Sequence, residues 1–129
     1  MVRTCCFAGI EDSKVSTFSA VLRAVGTPGL ATVSQLDVAE LGRLRPGLLV
    51  CDVDALDIDP IELLRRIRFV LPNCIIAVYT DKKTFAWSRA CHLAGVNCVL
   101  AKSSDERRLT QGLRIALQSG CYTDPGFAA

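Results

Sequence analysis

The chain has 129 residues, 50% of them hydrophobic and 22% charged, with a formal net charge of +2. That length and apolar content predict one domain able to bury most of its core, and the mixed charge signs show neither a basic stripe for nucleic acid nor an acidic tail. No apolar stretch nears the roughly 20 residues that span a bilayer, and the opening Met1-Val2-Arg3-Thr4 has no signal-peptide layout, so a cytoplasmic protein without membrane association is expected.

Short apolar runs alternate with longer stretches whose apolar residues recur every three or four positions, the pattern of βα repeats. In chain order, the runs and their Gly, Pro or Asn boundaries predict a strand over 3–8, a helix over 12–25, a strand over 30–33 and a helix over 36–44. Next come a strand over 47–51, a helix over 60–71, a strand over 74–79, a helix over 83–94, a strand over 97–101 and a helix over 105–119. The third helix is the best marked. Asp59 stands at its N-cap and Pro60 at its first position, with Ile61, Leu64, Ile67 and Leu71 on an inward face and Arg65, Arg66 and Arg68 pointing outward. In the fifth helix Asp105 is the cap, and Leu109, Leu113, Ala116 and Leu117 face inward. Right-handed crossovers turn this order into an α/β fold, a doubly wound five-stranded parallel sheet with helices on both sides. No long-period repeat, low-complexity tract or internal linker interrupts it.

Cys5, Cys6, Cys51, Cys74, Cys91, Cys98 and Cys121 form an odd set without a C-x-x-C pair, and most lie inside apolar runs. They read as reduced core residues, because a reactive thiol needs exposure and a cationic neighbourhood. His92, the only histidine, reads as a surface or packing residue. Phe85 and Trp87 are two apart on a helix and cannot both face the core, so one of them is expected on the surface, where it would suit a partner.

Asp52 ends the apolar run Leu48-Leu49-Val50-Cys51, Thr80 ends a second run and Lys102 a third. Parallel strands bring a carboxylate, a hydroxyl and an ammonium at such positions to one rim, the carboxyl edge where open α/β sheets bind ligands. A plain salt bridge between Asp52 and Lys102 would use the same placement. Asp54, Asp57 and Asp59 read as a solvated acidic loop with a helix cap, with a metal-site role for one side chain left open.

From Arg45 onward the chain resembles the receiver domain of bacterial two-component response regulators. The segment Arg45-Pro46-Gly47-Leu48-Leu49-Val50-Cys51-Asp52 is similar to the strand that carries the family's phosphoacceptor aspartate. Ile61-Glu62-Leu63-Leu64-Arg65-Arg66-Ile67-Arg68 is similar to the helix that follows, Ile75 to Thr80 to the strand ending in Thr or Ser, and Ala94-Gly95-Val96-Asn97-Cys98-Val99-Leu100-Ala101-Lys102 to the Gly-to-Lys segment. Gly120-Cys121-Tyr122-Thr123-Asp124-Pro125 resembles the stretch leading to a helix-turn-helix in the LuxR-type subgroup, and only Gly126-Phe127-Ala128-Ala129 follow it. Residues 1–120 are then expected as the receiver domain and 121–129 as a tail or linker start, in a protein that stands alone or has been cut from a longer one.

The resemblance implies a flavodoxin-like, CheY-like fold and a signalling module rather than an enzyme. Asp52 would take a phosphoryl group from a histidine kinase or phosphotransfer protein, Thr80 would hydrogen-bond it and Lys102 would ion-pair with it. A homodimer through the fourth helix, fifth strand and fifth helix is a further implied partner, with no direct nucleic-acid binding by this domain. In the family Mg2+ bridges the phosphoacceptor, a carboxylate pair after the first strand and the backbone carbonyl two residues past the phosphoacceptor. The corresponding metal set is Asp52, Asp54, Glu11 and Asp12.

This chain departs from the family at several positions. Gly9 and Ile10 stand where the carboxylate pair belongs, with Glu11 and Asp12 one or two residues late. Asp81 follows Thr80 where a small residue is usual, Val99 holds the place of the switch aromatic, and Ser103 replaces the proline after the lysine. Without the metal, charge repulsion between Asp52 and an incoming phosphate goes uncompensated, so a phosphorylation-impaired receiver or pseudo-receiver acting by protein contact stays open. Asp52-Val53-Asp54 also resembles the D-x-D motif of haloacid-dehalogenase-type phosphatases. Those enzymes carry it near the amino terminus with a longer chain after it, whereas here 77 residues follow.

Overall fold

The computed structural model describes residues 5–26, 30–33, 37–54 and 58–127. Five βα units run in order: β1 (Cys5–Ala8), α1 (Asp12–Ala24), β2 (Leu30–Val33), α2 (Val38–Leu44), β3 (Leu48–Cys51), α3 (Pro60–Val70), β4 (Ile75–Thr80), α4 (Phe85–Leu93), β5 (Cys98–Ala101) and α5 (Glu106–Ser119). A two-residue strand, β6 (Tyr122–Thr123), and a 3-10 turn over Pro125–Phe127 follow. Every strand pairing is parallel, and the order across the sheet is β2-β1-β3-β4-β5-β6. The first five strands therefore follow the doubly wound 2-1-3-4-5 order. All ten expected elements are present. The expected ends at residues 3, 4 and 36 lie outside the described residues, as does Asp57.

The period-2 alternation of the strands divides the core into two layers. Cys6, Ala8, Leu49, Cys51, Ile76, Val78, Val99 and Ala101 face α2, α3 and α4, where Leu41, Leu63, Leu64, Ile67 and Cys91 meet them. Their neighbours Cys5, Phe7, Leu48, Val50, Ala77, Tyr79, Cys98 and Leu100 face α1 and α5, and pack on Phe18, Val21, Leu22, Leu109, Leu113 and Ala116. Phe18 anchors that second layer, with ring centroids 5.5 Å from Phe7 and 4.9 Å from Tyr79. The caps form as their residue types require: Asp59 accepts from the Ile61 amide and Asp105 from the Arg108 amide.

All seven cysteines are thiols, six of them buried and Cys121 exposed. Burial pushes the Cys6 thiol up to about 11 and those of Cys5 and Cys91 up to about 12. Cys51 and Cys98, the deepest of the set, are raised further for the same reason.

Two features differ from the sequence reading. Arg68 does not point outward: its guanidinium turns back under α3 and donates to the carbonyls of Leu71, Cys74 and Gly95 and to Asn97 Oδ1, at 2.7–3.0 Å. One planar fork thereby closes the carboxyl end of α3 and ties it to the loop before β5. The second feature is β6. Tyr122 and Asp124 donate their amides to the carbonyls of Asn97 and Val99, which extends the sheet past β5. Asp124 is buried and bonded by the Ser104 hydroxyl and the Gly126 amide, and Phe127 is fully buried in the first core layer.

Candidate functional site at the carboxyl edge of the sheet

Register alone assembles the site. Cys51 pairs with Val78 and Thr80 with Ala101, so β3, β4 and β5 end side by side with Asp52, Thr80 and Lys102 at their tips. Two further backbone bonds fix the tips, from Asp52 N to Ala8 O at 3.1 Å and from Lys102 N to Thr80 O at 2.9 Å. Gly9 closes one wall. It has φ +71°, and a Cβ there would lie 3.0 Å from the Asp52 carbonyl oxygen, so both the backbone turn and the close approach call for glycine.

Lys102 Nζ lies 2.7 Å from Asp52 Oδ2 and 3.1 Å from Asp54 Oδ2, so one ammonium bridges two carboxylates. Asp54 reaches the pocket because Asp52 Oδ1 accepts its amide at 2.9 Å, an Asx-type turn that folds the chain back over the strand ends. There the Thr80 hydroxyl donates to Asp54 Oδ1 at 2.7 Å and the Asp81 amide to Oδ2 at 2.9 Å. Thr80 Oγ1 in turn accepts the Lys82 amide at 3.1 Å. Burial by itself would raise the Asp54 carboxyl, but the bonds from Thr80, Asp81 and Lys102 outweigh it and hold the group below the usual carboxylate range. For Lys102, burial works against the charged form. Its bonds to Asp52 and Asp54 more than offset that and raise it.

Asp52, Thr80 and Lys102 thus meet as their positions required, and the rim salt bridge is present in the same pocket. Asp54, read from the sequence as a solvated loop residue and, through the resemblance, as one of the metal set beside Asp52, makes contacts with Thr80 and Asp81 that were not expected. It is no solvated loop residue, and the one available signal was its two-residue spacing from Asp52, which suits an Asx turn.

Of the residues read as magnesium ligands, Asp52 and Asp54 meet on Lys102, and among the described residues no further acidic side chain joins them there. Glu11 is the exposed N-cap residue of α1, close enough for its charge to act on the Tyr79 hydroxyl together with Asp52, Asp81 and Lys102, and Ile10 is buried in the second core layer. The Asp12 side chain lies outside the described part of the structure. Asp52 and Asp54 both spend an oxygen on the Lys102 ammonium, and among the described residues no three acidic, His or Cys side chains are grouped to hold a metal. A hard divalent cation asks for several free oxygens at near-octahedral positions. The described residues do not fit one as they stand.

Val99, at the position of the family's switch aromatic, is wholly buried against the α3 and α4 side. His92 is a packing residue, its Nδ1 2.9 Å from Val96 O and its Nε2 2.6 Å from Thr123 Oγ1, joining α4 to β6. Phe85 is the exposed aromatic of its pair, while Trp87 packs against the first core layer and carries Lys82 Nζ 4.5 Å above its ring.

This geometry, three polar strand tips at the carboxyl edge of a 2-1-3-4-5 sheet, is the CheY-like receiver fold. No family model matches the chain, and no curated protein matches it either. Solved structures do. A two-component response regulator of the LuxR family from Aurantimonas sp. SI85-9A1 is 23% identical with a TM-score of 0.74, covering 99% of this chain and 94% of its own. The isolated REC domain of RcsB from Salmonella enterica serovar Typhimurium, solved with the phosphomimetic BeF3-, is 19% identical with a TM-score of 0.80, covering 99% and 97%. A Burkholderia thailandensis protein assigned provisionally to pilus assembly (cpaE) is 15% identical with a TM-score of 0.72, covering 92% and 100%. No helix among the described residues is long and apolar enough to cross a membrane.

Proposed function

We propose that this chain is a receiver module of two-component signalling in which Asp52 accepts a phosphoryl group from a histidine kinase or phosphotransfer protein. An Asp52 carboxylate oxygen attacks the phosphorus of a phosphohistidine. The O–P bond forms as the N–P bond breaks, and the imidazole leaves with the electron pair and takes a proton from solvent. Thr80 and Lys102 bind the oxygens of the acquired group. The observation that carries this reading is the convergence of Asp52, Thr80 and Lys102 on one pocket, with Lys102 Nζ 2.7 Å from the attacking carboxylate.

The module acts in the cytoplasm by contact rather than turnover. A partner approaching the α4 side meets α4, α5 and β6, since β6 covers the edge that β5 would otherwise present. Prolonged incubation with phosphoramidate, a small N–P donor, tests the reading. It should give an acyl phosphate that hydroxylamine cleaves and that Asp52→Asn lacks. A modified Asp52→Asn protein would overturn the assignment. Steady turnover of para-nitrophenyl phosphate lost in Asp52→Asn would replace the receiver with a phosphatase built on the Asp52-x-Asp54 pair.

A further inference from the structure

We infer that Asp54 is a resident occupant of the phosphoryl seat, holding the site closed until it is displaced. This rests on the receiver reading of Asp52. The Thr80 hydroxyl, the Asp81 amide and the Lys102 ammonium all point at one carboxylate, at 2.7, 2.9 and 3.1 Å. A neutral donor, a backbone donor and a cation aimed at one small volume make an anion site, and Asp54 fills it with the chain's own anion.

Asp52 holds Asp54 there by accepting its amide, so acceptor and occupant belong to one turn. A phosphoryl group on Asp52 would bring its oxygens to the same three donors. It would also set its negative charge against the Asp54 carboxylate, two residues away and already bound to the same lysine. Both cannot hold the seat. Phosphorylation therefore requires the Asp54 side chain to rotate out and give up its three bonds. A small phosphodonor supplies nothing toward that displacement, whereas a docked protein can offer new partners to the released carboxylate. Asp54 thus acts on reactivity by position and takes no part in the chemistry itself.

The test compares the rate of Asp52 modification by acetyl phosphate, with magnesium present, in the wild type, Asp54→Ala and Asp54→Asn. Phosphate-affinity electrophoresis reads the rate, and Asp52→Asn in each background is the control. In the productive step an Asp52 oxygen takes the phosphoryl group and acetate leaves. Freeing three donors, one of them charged, should speed Asp54→Ala by at least about tenfold. Asp54→Asn keeps the volume but not the charge and should fall between Asp54→Ala and the wild type. Equal rates in all three proteins would overturn the occupancy while leaving Asp52 as acceptor. No modification in any of them would overturn the receiver reading, and the occupancy with it. A second readout needs no phosphorylation: beryllofluoride should shift the Asp81 and Lys82 amide resonances at lower concentration in Asp54→Ala than in the wild type, and equal half-saturation would contradict the proposal.

Discussion

Lys102 is the only cation bonded to Asp52 and Asp54 among the described residues. Removing it leaves two neighbouring carboxylates with no compensating charge. Lys102→Met is therefore expected to destabilise the fold by about 1–2 kcal/mol, below the figure for a fully buried pair because the lysine side chain is 28% exposed. Adding Asp52→Asn in that background should recover part of the loss, since it relieves the repulsion, and denaturant unfolding of the double-mutant cycle measures both steps. At Gly9 the cost is steric and conformational. Gly9→Ala should lose about 1–2 kcal/mol, because alanine at φ +71° strains the backbone and its methyl presses on the Asp52 carbonyl. The three strand-tip residues were legible in the sequence because a strand end is a position on a line, and parallel register does the rest. Asp54 and Arg68 were not. Whether a side chain next to a strand or on a helix turns inward depends on donors and acceptors that distant segments bring to it, and one chain read in order does not contain that information.

At the scale of elements, helices and strands with a strong apolar period were legible, and the short edge was not. β6 has two residues, too few for alternation to show, and its order comes from tertiary contacts: two ladder bonds to the strand beside it and Tyr122 lying against α5. Gly112 makes that seat, as a Cβ there would stand 2.5 Å from the Tyr122 ring. Gly112→Ala should push Tyr122 off α5 and loosen β6 even though alanine is the better helix former. Faster hydrogen exchange at the Tyr122 and Asp124 amides, with the Leu49 and Val50 amides unchanged, is the expected signature. The Arg68 fork predicts a different kind of loss. Arg68→Lys keeps the charge but cannot reach four carbonyl and amide oxygens from one plane, and about 2–3 kcal/mol of stability should go with it.

At the scale of the whole molecule, five thiols raised by burial make the fold sensitive to alkali. Each is neutral in the folded state well above the pH at which it ionises in the unfolded chain. The folded state thus binds more protons than the unfolded one, and the stability this gives is intact below the ordinary thiol value of 9.0 and is lost as pH rises toward about 12. The midpoint denaturant concentration should therefore fall steadily above pH 9, and substituting valine for Cys51 should make the fall shallower. In native conditions at pH 8 a thiol reagent should titrate the exposed Cys121 quickly and the buried six only after unfolding.

Closure of the site depends on one contact network, the Asp54 carboxylate seated among the donors at the tips of β4 and β5. A scalar coupling across the hydrogen bond from the Asp81 amide nitrogen to the Asp54 side-chain carboxyl carbon reports that contact directly in solution. A resolved coupling that disappears in Asp54→Ala is the expected result. Its absence in the wild type, in spectra where the ladder bond from Lys102 N to Thr80 O is clearly resolved, would contradict the seating of Asp54 in this pocket.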